Sequence, residues 1–114
     1  MKLKTTYNMP ENIYKGLAKT ADAEFFEEVF SNQNLRIERI VSYGYASPES
    51  FWYNQPDDEW VILLSGNAEL QFKNKPSVKL NTGDYIFIPA NEEHRVSYVS
   101  HEPQCIWLAI HIKK

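Results

Sequence analysis

Glu59-Trp60-Val61-Ile62-Leu63-Leu64-Ser65-Gly66 sets a carboxylate at the head of a nearly unbroken apolar run that ends in a turn. A short apolar run bounded by turn formers predicts a strand with both faces covered. Glu59 is the anomaly in it, because a carboxylate is costly to bury unless it is paired, hydrogen-bonded or bound to a cation. It is therefore either an exposed strand-end residue beside Asp57 and Asp58, or a member of a polar pocket. Downstream, Asp84-Tyr85-Ile86-Phe87-Ile88 is a second strand, opened by Gly83 and closed by Pro89, and His94 follows five residues after that proline. Two ionisable groups thus stand at strand ends.

Working outward, Leu35 to Tyr43 alternates: Leu35, Ile37, Arg39, Val41 and Tyr43 share one face, with Arg39 and Ile40 as exceptions to the polarity pattern. Pro48 makes residues 46–50 a loop. Phe51 to Gln55 is expected to be the next strand, and Pro56-Asp57-Asp58 turns the chain into Glu59. After Gly66-Asn67, the residues Ala68, Leu70 and Phe72 alternate with Glu69, Gln71 and Lys73, which is the clearest strand by pattern. Val78 to Leu80 is a short strand, and residues 90–93 form a tight loop. His94, Val96 and Tyr98 share a face, and Cys105 to Ile112 is a last strand with Trp107, Ala109 and His111 on one side. Eight or so short strands with regular turns argue an all-β barrel or sandwich.

The N-terminal part, residues 1–34, is expected to be an arm with some extended pairing, anchored by Tyr7, Ile13, Tyr14 and Leu17, and then a short helix. Thr20 or Asp22 can cap that helix, and Phe25, Phe26, Val29 and Phe30 recur at one- and four-residue spacings along Ala23 to Phe30. Residues 35–114 then form the barrel, one domain overall.

At 114 residues the chain is long enough for one closed core without disulfides. The single cysteine, Cys105, lies before Ile106-Trp107-Leu108 and reads as a packed residue. A net charge of −3 offers no basic face for nucleic acid or for an anionic membrane. The N-terminus has no signal-peptide pattern and no stretch approaches spanning length, so a cytoplasmic protein without membrane attachment is expected. His101, in a polar turn, is expected at the surface.

The two strand ends resemble the motifs of the cupin superfamily. Glu59 to Gly66 fits the second half of G-x5-H-x-H-x(3,4)-E-x6-G, and Gly83, Pro89 and His94 fall in register with G-x5-P-x-G-x2-H-x3-N. Tyr53 and Gln55 stand where the first motif has histidines, and Ser47 where it has its leading glycine. In the second motif Asn91 replaces a glycine and Tyr98 the final asparagine; asparagine tolerates the left-handed backbone that glycine supplies. The run Phe51 to Gln55 is similar to that of small single-domain bacterial cupins. The resemblance implies an antiparallel β-barrel of the double-stranded β-helix or jelly-roll kind, and pairing of two subunits into a homodimer. It also implies a metal held by motif residues, of which only Glu59 and His94 carry over.

Two chemistries follow for the site. A metal-free polar pocket would use Tyr53, Gln55, Glu59, His94, Tyr98 and His111 as hydrogen-bonding partners of a small molecule. Alternatively, Gln55, Glu59 and His94 would hold a divalent cation weakly, because glutamine oxygen is a weak hard ligand. The expected function is small-molecule binding without assigned turnover. Its rival is an isomerase-like or oxygenase-like enzyme using His94 and Glu59, and a third reading is an interaction module whose pocket is plugged by its own aromatics.

Overall fold

The computed structural model describes residues 9–17 and 24–114. Among them are eight strands: β1 (Glu24–Ser31), β2 (Leu35–Ser42), β3 (Asp58–Ser65), β4 (Asn67–Phe72), β5 (Val78–Asn81), β6 (Tyr85–Ile88), β7 (His94–Val99) and β8 (Cys105–Ile112). They form two antiparallel sheets, one of five strands in the order β1-β2-β8-β3-β6 and one of three in the order β5-β4-β7. The fold is all-β, as the strand pattern predicts. The ladder does not close into a continuous barrel; the sheets face each other as a sandwich.

Two expectations are corrected. The segment expected as a helix, from Ala23 to Phe30, is strand β1 over its described part; its proposed caps, Thr20 and Asp22, and the anchor Tyr7 lie outside the described residues. Phenylalanines four apart fit one helical face, but eight residues are too few for a helix to be stable alone, and here β2 offers a ladder from Glu24↔Ser42 to Ser31↔Arg36, broken by a register shift between Glu28 and Phe30. The expected strand over Phe51–Gln55 reduces to one isolated bridge, Tyr53↔His94. The described part of the N-terminal arm, residues 9–17, contains turns and no strand.

The core lies between the sheets. Val61 and Leu63 of β3, Trp107 and Ala109 of β8, and Leu70 and Phe72 of β4 are among its buried members. Leu63 is fully buried, so its truncation to alanine would cost about 2–5 kcal/mol. Strand β3 enters the turn at Gly66, where φ is +87° and an added Cβ would stand 2.7 Å from Ser100 Oγ and 2.9 Å from Cys105 Sγ. Only glycine meets both conditions. Cys105 is buried beneath that turn as its apolar setting predicts, and burial raises its thiol pKa.

The opposite face of the larger sheet has its own buried ion pair. Arg39 and Glu27 are cross-strand partners, 1% and 0% exposed, joined through Arg39 Nη2 and Glu27 Oε2. The arm covers them: Arg39 donates to the carbonyls of Ile13, Lys15 and Gly16. Arg39 broke the apolar alternation of β2 because it is the plug beneath this arm.

Candidate functional site

Register places the inward side chains of the large sheet in rows. One row runs Arg36, His111, Glu59, Ile88 across β2, β8, β3 and β6. Two residues along is Glu38, Ala109, Val61, and two further is Ile40, Trp107, Leu63, extended on β1 by Phe26. Polar groups therefore gather at one end of the inner face and apolar groups at the other. The smaller sheet contributes His94, Val96 and Leu70, and together these surfaces line a cavity of about 200 Å³.

Glu59 and His94 converge in it. Both are buried, and His94 Nε2 lies 3.9 Å from Glu59 Oε1. His94 is fixed on every side: its Nδ1 donates to the Glu92 carbonyl at 2.8 Å, its ring stacks on Tyr53 at 5.7 Å between centroids, and Phe72 lies 6.1 Å away. The loop that delivers it turns through Asn91, whose φ of +65° is the left-handed conformation expected of that substitution. The Asn91 N–H donates to the Gln55 carbonyl, which ties Gln55 to the same loop. Gln55 Nε2 in turn donates to Glu59 Oε1 at 2.6 Å.

His111, directly opposite Glu59 in the ladder, shares a second contact with Glu38, at 2.9 Å from Nε2 to Oε1. That hydrogen bond, aided by the nearby Arg36 guanidinium, holds the Glu38 carboxyl below its usual pKa. Elsewhere in the cavity wall burial raises the pKa of Glu24, partly offset by the Tyr53 hydroxyl donating to it at 3.3 Å. Burial, and then the neighbouring Glu24 carboxylate, push the Tyr53 hydroxyl well above its ordinary range.

Five of the six residues expected at the site, Tyr53, Gln55, Glu59, His94 and His111, line the cavity. Tyr98 does not: a register shift between Glu69 and Leu70 breaks the alternation of β7, so Tyr98 leaves the face of His94 and Val96 and is half exposed. His101 is exposed, as expected. Sequence reasoning missed Glu24, Arg36, Glu38 and Trp107 as wall residues. The alternation had separated Arg36 and Glu38 from the apolar face of β2, but which face looks inward depends on the sheet's partners.

The motif positions offer few ligands to a metal ion. Gln55 points a donor nitrogen at Glu59, the Tyr53 hydroxyl is engaged with Glu24, and two groups, Glu59 and His94, remain of the motif set. Among the described residues no three His, Cys, Asp or Glu side chains are grouped so as to hold a metal.

The chain belongs to the cupin family: the cupin domain profile matches residues 40–111. It is similar to a Bacillus subtilis strain 168 protein, YdbB, described as uncharacterized, at 32% identity over 71 residues, spanning 60% of this chain and 63% of that one. Among solved structures it resembles one from Ralstonia eutropha JMP134, provisionally named a mannose-6-phosphate isomerase. That match has 34% identity and a TM-score of 0.87, and covers 93% of this chain and 99% of the other. A cupin superfamily protein of Desulfitobacterium hafniense DCB-2 shares the fold at 14% identity and a TM-score of 0.79, covering 96% and 94%. Among the described residues no helix is long and apolar enough to cross a membrane.

Proposed function

We propose that this cupin binds a small molecule in the cavity between its two sheets, without assigned turnover. The observation that carries this reading is the cavity itself: about 200 Å³, polar at one end and apolar at the other, with Glu59 and His94 held rigidly in its wall. Pockets of this composition, mostly apolar with a few convergent polar groups, are what small ligands use. A module plugged by its own aromatics would have filled this space. A broad small-molecule thermal-shift screen tests the reading, since a ligand at a hundred times its Kd stabilises by about 2.7 kcal/mol. At least one class of compound is expected to raise the melting temperature, and a screen in which none does sinks the proposal.

The rival reading is an enzyme, isomerase-like or oxygenase-like, with Glu59 and His94 as an acid-base pair or as metal ligands. Its support is the 3.9 Å approach of the two groups and the likeness to the Ralstonia protein with its provisional isomerase name. Metal analysis separates the two: stoichiometric metal lost in His94→Ala would favour the metal enzyme.

A cytoplasmic homodimer is part of the proposal. The outer face of the large sheet carries a continuous apolar row, Phe30, Ile37, Ile110, Trp60 and Phe87, one residue from each strand. Phe30 is 49% and Phe87 52% exposed. Apolar surface of this extent is favourably covered by a second copy. Light scattering is expected to give twice the chain mass for the parent and one chain mass for a Trp60→Glu, Phe87→Glu double variant; a monomeric parent refutes the pairing.

A further inference from the structure

We infer that the cavity is entered along the open edge of the sandwich, between β1 and the segment 46–55, and that Tyr53 bars that entrance with its hydroxyl latched to Glu24. The inference deepens the small-molecule reading by naming how its cavity is reached, and its test needs no ligand.

The two sides of the sandwich are closed differently. At β5 and β6 the chain itself crosses from one sheet to the other through residues 82–84. That turn is bonded back to β3: the Leu63 N–H donates to the Asp84 carbonyl at 3.0 Å and the Gly83 N–H to the Leu63 carbonyl at 2.7 Å. On the other side stand two sheet edges, β1 and β7. The outer edge of β7 is covered by the segment 46–55. Its Ser47 N–H donates to the Val96 carbonyl at 2.8 Å, and Tyr53 and His94 exchange backbone hydrogen bonds at 2.7 and 3.1 Å. Arg95, buried on β7, donates through Nη2 to the Ser47 carbonyl at 2.8 Å. The backbone of the segment is therefore held to the smaller sheet.

The side chain of Tyr53 spans the gap from this segment to β1. Its ring stacks on His94 and meets Phe51 edge-on at 4.7 Å between centroids, and its hydroxyl donates to Glu24 Oε1 at 3.3 Å. Both Tyr53 and Glu24 line the cavity. Two residues along β1, on the same face, Phe26 also lines the cavity and is 42% exposed, so cavity and surface meet beside the latch. From there the row Phe26, Ile40, Trp107 leads inward along the cavity wall. Because the Tyr53 backbone is tied to His94, the moving part is a side chain. Breaking one long hydrogen bond and turning the ring widens the entrance with no strand displaced. A neutral donor on a partly solvated acceptor is worth little net, which suits a contact that must open repeatedly.

Trp107 supplies the reporter. Its Nε1–H is buried without a hydrogen-bond partner, so burial alone slows its exchange with solvent, and exchange quickens when the cavity opens. Exchange of the three tryptophan indole N–H groups is followed by NMR on the full, 15N-labelled chain, with the Trp107 signal assigned through Trp52→Phe and Trp60→Phe. The backbone amides of β8 report global unfolding in the same spectra. Tyr53→Phe and Glu24→Leu cut the latch from either side while keeping side-chain size. Each is expected to speed Trp107 indole exchange about three- to tenfold, the factor carried by one net hydrogen bond, with the β8 amides no faster than in the parent. The double variant should exchange like the faster single, because both remove the same contact. Indole exchange unchanged in both singles overturns the inference; so do additive effects, and so does an indole that quickens only in step with the β8 amides. Arg36→Ala probes the polar end, where Arg36 lines the cavity with 40% of its side chain exposed. If that variant alone opens the indole to exchange, the entrance lies there and the Tyr53 assignment falls. The thermal-shift screen decides separately whether the cavity takes a ligand.

Discussion

The two faces of the five-stranded sheet each bury ionisable side chains, and they do so in different ways. On the outer face Arg39 and Glu27 bring a donor fork to a carboxylate, and the arm supplies three carbonyls to the same guanidinium. Arg39 Nε and Glu27 Oε1 stay unpartnered, yet neither residue lines the cavity, so no ligand reaches them. On the inner face Glu59 approaches His94 of the facing sheet to 3.9 Å, beside a cavity of about 200 Å³. A buried pair of opposite charge closes on itself and holds an element in place. A pair that borders a cavity keeps one side open to a ligand.

Variants on the two faces should therefore behave differently. The largest effect is expected for Arg39→Met, which leaves Glu27 buried without a counter-charge; such losses cost about 3–5 kcal/mol. Urea unfolding measures it, and the folded fraction should bind a hit of the thermal-shift screen as the parent does. A loss of binding with little loss of stability would break the contrast.

Glu38→Gln comes next, at about 1–2 kcal/mol near neutral pH, the scale of a hydrogen bond to a charged group. Because the His111 bond lowers the folded pKa of Glu38, its contribution is present above the ordinary carboxylate range and disappears as pH falls through the lowered value. The variant should accordingly show a flatter loss of stability in acid than the parent. Equal acid sensitivity in the two proteins would remove Glu38 from the account.

A smaller change of opposite sign is expected for Glu24→Gln. Burial raises the Glu24 pKa, so the folded state favours the protonated form, and the ionised carboxylate is a burden at neutral pH that is relieved as pH falls. The variant should be more stable than the parent at pH 7, with the gain shrinking at pH 4. Smallest in stability is Glu59→Gln, expected within about 1 kcal/mol because the amide oxygen that replaces the carboxylate can still accept from Gln55 Nε2. Its effect belongs to ligand binding.

Much of this arrangement was legible in the residues. Period-two alternation located β2, β4 and β8, and the apolar run after Glu59 located β3, because side chains of a half-buried strand must alternate with its pleat. The resemblance of the stretch Glu59 to Gly66, and of Gly83, Pro89 and His94, to the cupin motifs pointed to the pocket pair. The helix expected over Ala23–Phe30 failed for a reason local pattern cannot supply: phenylalanines four apart suit a helix, and β2 stood ready to pair with the same residues as a strand. Tyr98 failed through the register shift in β7, which changes the face of every residue after it.

The sequence by itself determined that this chain is all-β, which strands it has around Glu59 and His94, and that these two groups break the apolar pattern at strand ends. Only the tertiary structure decided which face of β2 looks inward, and so that Arg36 and Glu38 join His111 in the cavity wall while Arg39 is sealed beneath the arm. The reason is physical. Alternation is set by the backbone's own geometry, residue by residue, whereas the choice of face is set by which surface finds a second sheet to pack against, and that is a property of partners far away in the chain.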